Sequence, residues 1–399
     1  MNKFPHYDII HSIKEVDTPF YLYDMDLLHT TLAAAKAAAD RRGYVIHYAV
    51  KANNNHPILA AMRDIGFGID CVSGNEVARS LEVGFDASMV DFAGIGKTDE
   101  EIEVGLDAGI FSFNVESLEE MEVIEELAGK RGKKANVSLR INPNIDAHTH
   151  KNITTGLSEN KFGLDLTLLP KLVDNIRKFQ HVSIKGLHFH IGSQITDLEV
   201  FKQLAVKASQ LNDYFLNQGF QFEHINLGGG LGVSYHHPTQ KRMVDFESFF
   251  KIFEENLTLP VGTKVHFELG RSLVAQCGIL ISKVVYVKAG LSKRFLILDG
   301  GMTDLIRPAL YQAFHLTENI CRDEEAEKYD VVGPICESTD IFGEDVLLSK
   351  SYRGDLIAIY TTGAYGQVMS SKYNMRDRAK AYYVSQGKLY SEASYLVGE

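Results

Sequence analysis

A chain of 399 residues accommodates two domains of ordinary size, and 45% hydrophobic with 23% charged side chains is the make-up of a soluble globular protein. The formal net charge of −11 argues against a nucleic-acid binder while leaving the charge of a small substrate open. The N-terminal Met1-Asn2-Lys3-Phe4-Pro5-His6 has no apolar core of signal-peptide length, and no stretch approaches the ~20 apolar residues of a membrane span, so a cytoplasmic location is expected.

In chain order, a helix is predicted over 25–42. Strand-like runs follow at 44–50, 67–72, 89–93, 111–115, 136–141, 183–190, 223–228 and 264–268. Amphipathic or alanine-rich segments separate them, at 55–65, 74–84, 98–108, 117–131, 166–179, 197–218 and 245–256. Strict alternation of strand and helix implies a parallel sheet, and eight units predict a closed (β/α)8 barrel, a TIM-like α/β fold, over 25–270. The segment 142–165, with Asn142-Pro143-Asn144 and His148-Thr149-His150, has no period and reads as a mobile lid. Beyond 270 the runs Ile279–Val287, Arg294–Asp299, Asp330–Val332 and Leu356–Tyr360 are joined by short connections. They predict a mostly antiparallel β domain formed by 271–399, with 1–24 joining it through the extended 19–23. Cysteines 71, 277, 321 and 336 form no CxxC pair, which fits a reducing compartment and no metal site.

Chemistry in such barrels gathers at the C-terminal ends of the strands. The first predicted strand ends on Lys51, the second near Asp70, the fifth at Arg140, the sixth at His190 and the eighth at Glu268. A lysine at a buried strand tip is expected to lose hydration, so that its pKa falls and its neutral amine attacks carbonyls. The seventh strand runs into Gly228-Gly229-Gly230, and Gly270-Arg271 follows the eighth. Barrel phosphate sites are built there, because glycine lets backbone N–H groups approach phosphate oxygens. Ser193 could add a hydroxyl. A run of three glycines by itself reads equally well as a tight turn; Gly-Arg behind the next strand favours phosphate. An imine-forming lysine beside a phosphate cradle points to pyridoxal 5′-phosphate (PLP). Glu268 would then face the pyridine nitrogen, its ordinary reading being a salt bridge at a strand end. His188 and His190 share one strand, and only one of them is expected to point into the site. Two clusters lie in the β domain, Asp299–Tyr311 with Arg307, and Gly333–Asp340 with Cys336 and Glu337. Alone, Arg307 reads as a surface ion pair and Cys336 as buried filler.

Taken together, His47-Tyr-Ala-Val-Lys51-Ala-Asn, His188-Phe-His190-Ile-Gly-Ser193-Gln, Gly228-Gly-Gly-Leu-Gly232, Cys336-Glu337-Ser338 and Gly363-Ala-Tyr365-Gly resemble the diaminopimelate decarboxylases. These belong to the alanine-racemase-like PLP enzymes, and the resemblance spans nearly the whole chain in matching order. It implies that Lys51 holds PLP through an imine, with Asp70 and Arg140 near the linkage. His190 would stack on the ring and Glu268 would pair with its nitrogen. Ser193, Gly229, Gly230, Gly270 and Tyr365 would hold the phosphate. Arg271, Arg307 and Tyr311 would take the substrate's distal carboxylate, with Tyr365 nearby. Glu337 would receive the distal ammonium and Cys336 would be the proton donor, both from the partner subunit of an obligate homodimer. One departure is Leu269, where the family commonly has proline; only local stiffness is affected.

The implied substrate is meso-diaminopimelate and the product L-lysine. Two arginines would repel the lone distal ammonium of lysine or ornithine, whereas a second amino-acid head matches two arginines, Tyr311 and Glu337. Competing readings are a racemase of the same fold, a basic amino acid or carboxynorspermidine decarboxylase, a non-catalytic PLP-binding protein and an aldolase using Lys51 alone. Glu268 counts against a racemase, the β domain against the binding protein, and Glu268 with Tyr365 against the aldolase.

Overall fold

The structure is a computed structural model that describes residues 9, 13, 16–146 and 161–397. After a first strand, β1 (Phe20–Asp24), comes helix α1 (Met25–Asp40). Asp24 caps α1 by accepting the Leu27 N–H, and Leu28, Leu32, Ala35 and Ala39 bury one face at helical spacing. Eight parallel strands then close into a barrel: β2 (Val45–Ala49), β3 (Gly68–Cys71), β4 (Val90–Phe92), β5 (Ser112–Val115), β6 (Ala135–Arg140), β7 (Val182–His188), β8 (His224–Asn226) and β9 (Lys264–Leu269). The barrel closes where Val45–Tyr48 pair with His266–Leu269. Each predicted barrel strand is present to within about two residues at either end. The crossover helices are α2 (His56–Asp64), α3 (Gly74–Val83), α4 (Asp99–Ala108), α5 (Leu118–Lys130), α6 (Leu169–Ile176), α7 (Leu198–Asn217) and α8 (Phe246–Asn256). Their starts obey capping chemistry: Ser73, Thr98 and Ser117 each accept a first-turn N–H, and Glu101 answers Thr98 in a capping box.

The strands are two-sided. Ile69 and Cys71, Phe113 and Val115, Val137 and Leu139, and Val265 and Phe267 are buried and belong to one continuous apolar cluster with the helices. Alternate positions carry polar groups that bond to one another across strands. Ser112 meets Ser138 at 2.8 Å, Ser138 meets His224 at 2.7 Å, and His47 meets His266 at 2.9 Å. Barrel interiors are usually packed with branched aliphatics; this one is filled with hydrogen-bonded polar side chains.

The chain then leaves the barrel through a short helix, α9 (Arg271–Val274), into a second sheet. Its strands are β10 (Gly278–Ala289), β11 (Arg294–Leu298), β12 (Thr317–Asn319), β13 (Ala326–Val332), β14 (Ile341–Ser349), β15 (Leu356–Ile359), β16 (Lys380–Ser385) and β17 (Lys388–Ser391). The main path runs β14-β13-β11-β10-β1-β16-β17, with β15 on β10 and β12 on β15. The N-terminal strand therefore joins this sheet as expected, antiparallel to β10 and parallel to β16. Sequence reading had no strand at β12, β14, β16 or β17. β14 carries exposed Glu344 and Asp345, so its apolar signal is diluted. The β16–β17 hairpin turns on Gln386 and Gly387, both at positive φ, a turn signal short enough to overlook. Of the predicted lid, residues 147–160 lie outside the described residues. Its two ends are pinned together, Asn142 N–H to Leu164 O and Leu164 N–H to Arg140 O. Among the described residues no helix is long and apolar enough to cross a membrane.

The histidines inside the barrel are neutral. Burial pushes His224 down to about 4 and His47 down to about 3. In the unfolded chain each returns to about 6.5 and takes up a proton first, so stability falls as pH drops below that value. Replacing His224 by Gln, which can still reach Ser138, removes one such group. Between pH 7 and pH 5 the parent should lose roughly 2 kcal/mol relative to His224→Gln in denaturant unfolding. Parallel pH profiles for the two proteins would contradict this.

Candidate active site

Lys51 sits just past β2, in a short turn, Val50–Ala52. The second sheet's loops hold that turn. Tyr365 N–H donates to Ala52 O (2.8 Å), Asn53 Nδ2 to Gly363 O (2.9 Å), and Asn55 Nδ2 to Gln367 Oε1 (2.8 Å). Tyr365 does this at φ 56°, a backbone state disfavoured for a bulky residue and maintained by its surroundings. Lys51 Nζ donates to Asp70 Oδ2 at 3.2 Å. The expected fall in the lysine pKa is not found. Burial does pull it down, but Asp70, Tyr365 and Glu268 outweigh burial, and the amine stands above the ordinary lysine value. Burial, and repulsion from Glu268, push Asp70 up to about 6, so the proton acceptor nearest the amine is itself poised to titrate.

Glu268, on β9, is 6% exposed. Burial pushes it up to about 7, against the pull of Lys51, Arg140 and an Asn226 hydrogen bond. Its carboxyl accepts from Asn226 Nδ2 at 2.8 Å, Asn114 Nδ2 at 3.2 Å and His188 Nε2 at 2.9 Å. Sequence reading missed these three. Their signal was polar residues at alternate positions of otherwise apolar strands. It also misjudged the two histidines. Residues two apart on a strand share a face, so alternation could not separate them; the strand ends first, and His188, its last residue, bonds to Glu268 while His190, just past it, borders the cavity of Lys51.

That cavity is small and is lined by Lys51, His190, Ser193, Gly230, Glu268, Gly270, Arg271 and Tyr365. The glycine loop packs backbone against backbone. A Cβ on Gly229 would lie 1.9 Å from the Glu268 carbonyl oxygen, and one on Gly230 would lie 2.5 Å from that of Gly192. His190 Nδ1 accepts the Gly229 N–H at 3.4 Å. Leu269, in place of the family's usual proline, is fully buried in β9 opposite Tyr48. A group with an aldehyde for the amine, a basic ring nitrogen for the buried carboxyl and a phosphate for the glycine loop fits this set.

Arg271 links the cavity to a cleft of about 1060 Å³, also lined by Arg307, Tyr235 and Tyr311. The surface reading of Arg307 is overturned: it is 5% exposed, because helix α10 (Arg307–Tyr311) turns it inward. Its partner is a histidine, with Nη1 2.8 Å from His315 Nε2, and its Nε has none among the described residues. Arg271 donates to Tyr235 Oη at 2.5 Å and to Ser193 Oγ at 3.1 Å. Among the described residues neither arginine has a carboxylate partner; the cleft's two aspartates, Asp197 and Asp245, cap helices α7 and α8 instead. Tyr235, unforeseen from sequence, lies between them, 4.9 Å from the Arg307 guanidinium and 6.0 Å from that of Arg271. Arg140 does not line the small cavity; it pairs with Glu116 at 2.5 Å, and Glu116 also accepts the Gly163 N–H. Cys336 is exposed rather than buried filler, since it lies in a loop on the sheet domain. Neither it nor Glu337 lines either cavity of this chain; Glu337 accepts from Tyr373 Oη at 2.7 Å.

Residues 26–275 match the model of the pyridoxal-dependent decarboxylase family, pyridoxal binding domain. A diaminopimelate decarboxylase of Bacteroides thetaiotaomicron is 51% identical over 374 residues, covering 94% of this chain and 97% of the relative. The chain belongs to the diaminopimelate decarboxylases. That of Aquifex aeolicus is 37% identical over 95% of this chain and 90% of its own. The crystal structure of diaminopimelate decarboxylase from Helicobacter pylori complexed with L-lysine superposes with a TM-score of 0.90 at 38% identity, covering 96% of this chain and 95% of that one. The cofactor of this family is PLP, and the barrel is the part of the chain that the family model matches.

Because nothing can yield around Gly229, adding one methyl there should cost roughly 1–3 kcal/mol and displace the loop. Gly229→Ala is expected to lose bound PLP on gel filtration, whereas Gly96→Ala, with open space around it, should keep its cofactor. Full cofactor retention by Gly229→Ala would show that the loop tolerates the change.

Proposed function

We propose that this enzyme decarboxylates meso-diaminopimelate to L-lysine and CO2 with PLP, and that the residues gathered above divide the work. The carrying observation is the pair of buried arginines without a carboxylate partner, Arg271 and Arg307, which line the cleft that Arg271 joins to the Lys51 cavity. PLP supplies an aldehyde carbon for the substrate amine and a pyridinium ring that draws electrons from the carbon losing CO2. Lys51 anchors it, with Asp70 exchanging a proton with the amine. Glu268 would hold the proton at the ring nitrogen, and His190 would flank the ring. Gly229, Gly230, Gly270, Ser193 and Tyr365 hold the phosphate. Arg140, neutralised by Glu116, steadies the cavity's electrostatics from behind.

Arg271, Arg307 and Tyr311 bind the distal carboxylate. An anion there pairs two guanidiniums whose partners are otherwise uncharged, Tyr235, Ser193 and His315, whereas the lone distal ammonium of lysine or ornithine meets two like charges at a cost of several kcal/mol. Tyr365 lines the small cavity, its ring 4.8 Å from the guanidinium of Arg271, which links that cavity to the cleft. Cys336 protonates the carbon that has lost CO2, and Glu337 takes the distal ammonium. Both are exposed and line neither the small cavity nor the cleft of this chain, which supports their acting in the site of a second subunit of a homodimer. The barrel domain is 25–270 and the β domain 1–24 with 271–399, of which 1–8, 10–12, 14–15, 147–160 and 398–399 lie outside the described residues. The reaction is placed in the cytoplasm, which the four cysteines without a CxxC pair support.

CO2 and lysine release should be measured with PLP and, in parallel, meso-diaminopimelate, L-lysine and L-ornithine. Turnover of meso-diaminopimelate alone is expected; turnover of either basic amino acid would mean that the arginines do not face the distal head. Arg307→Leu should lower kcat/KM by roughly a hundredfold while PLP stays bound. Lys51→Ala should abolish turnover. Mixing Lys51→Ala with Glu337→Ala subunits should restore part of the activity, and no recovery after verified exchange would argue against shared sites.

A further inference from the structure

Glu268 has three nitrogen neighbours, and their other contacts decide where each hydrogen points. Asn226 Oδ1 accepts the Gly228 N–H at 2.9 Å, so its NH2 must face Glu268. Asn114 turns its NH2 to the same oxygen, and its own Oδ1 has no partner among the described residues. His188 Nε2 touches the carboxyl while Nδ1 has no hydrogen-bond partner among the described residues. A carboxylate only accepts, so the one proton of a neutral imidazole belongs on Nε2. Burial, helped by Arg140, keeps that ring neutral, pushed down to about 3. The donors come from three strands, β5, β7 and β8, and converge on a carboxyl from β9.

We propose that His188, supported by Asn114 and Asn226, is a positioning residue that donates its Nε2–H to Glu268, keeps that carboxyl ionised and aimed, and thereby sets how fully the PLP ring nitrogen stays protonated. This rests on the reading of Glu268 as the partner of that nitrogen. The demand for donors is clear from the surroundings. Asp70 and Asp91 are buried nearby and repel a charge on Glu268, as does Glu116; Lys51 and Arg140 attract it. With a donor removed, Glu268 relaxes by taking the proton from the ring nitrogen, and the electron sink weakens. A purely space-filling histidine would leave the nitrogen's protonation untouched.

The test is nitrogen NMR of holoenzyme carrying PLP labelled at the ring nitrogen, with steady-state kinetics alongside. The parent should show a protonated nitrogen and Glu268→Gln an unprotonated one. His188→Leu should shift the signal toward the unprotonated position and lower kcat roughly ten- to a hundredfold with little change in KM. His188→Gln, whose amide can donate in place of Nε2–H, should recover most of both. Asn114→Leu should move the signal the same way by less, and it reads the same network if His188→Leu does not fold. A parent-like signal in both His188→Leu and Asn114→Leu, with Glu268→Gln unprotonated, would overturn the inference alone. A protonated nitrogen in Glu268→Gln would overturn the Glu268 reading and the inference with it.

Discussion

A carboxylate in the middle of a closed barrel must be answered by hydrogen-bond donors, because burial favours its neutral form and the strand backbones are already committed to the ladder. Glu268 sets that demand, and much of the barrel interior is arranged to meet it. Asn114, His188 and Asn226 reach it from other strands. Asn226 in turn lies 3.4 Å from Asp91, and Asp91 lies 3.4 Å from His47, which bonds to His266. The polar interior is therefore continuous from the cofactor cavity into the barrel, while the apolar core lies outside the strands, against the helices. Stability and chemistry are divided between the two faces of the same strands.

The second sheet completes the cavity. Its loop at 361–367 caps the Lys51 turn with three hydrogen bonds, and it brings in Tyr365 and Arg307 from segments far away in sequence. A barrel by itself would carry a lysine and a glycine loop but no cation pair over the cleft. Arg271 is the hinge of this arrangement, since it borders both the small cavity and the cleft and contacts Ser193, Tyr235 and Tyr365. Its position explains how one residue can be read for cofactor and for substrate at once.

The folded surroundings also reverse one chemical expectation. A buried lysine in an apolar pocket loses its proton easily, but Lys51 lies near Asp70 and Glu268, and the carboxylates hold the proton on. The pairing of amine with carboxylate, rather than burial, governs that end of the site, and Asp70 near neutrality offers the proton a place to go.

Local pattern determined a great deal. Strand–helix alternation specified the barrel because each unit must bury an apolar face, and the strand tips identified Lys51, Asp70, His190, Glu268 and the glycine loop because parallel barrels expose chemistry at that end. The tertiary structure alone decided whatever depended on distance. Arg307 read as a surface residue because nothing in its neighbours shows that α10 turns it inward to His315. Tyr235 carried no motif at all, and β14 and β16–β17 were hidden by charged or tyrosine-rich edges. His188, Asn114 and Asn226 are separated in sequence by dozens of residues and share a purpose only because barrel closure places their strands around Glu268. Spacing along a chain records which face a residue takes; which partner it meets there is set by closure of the sheet.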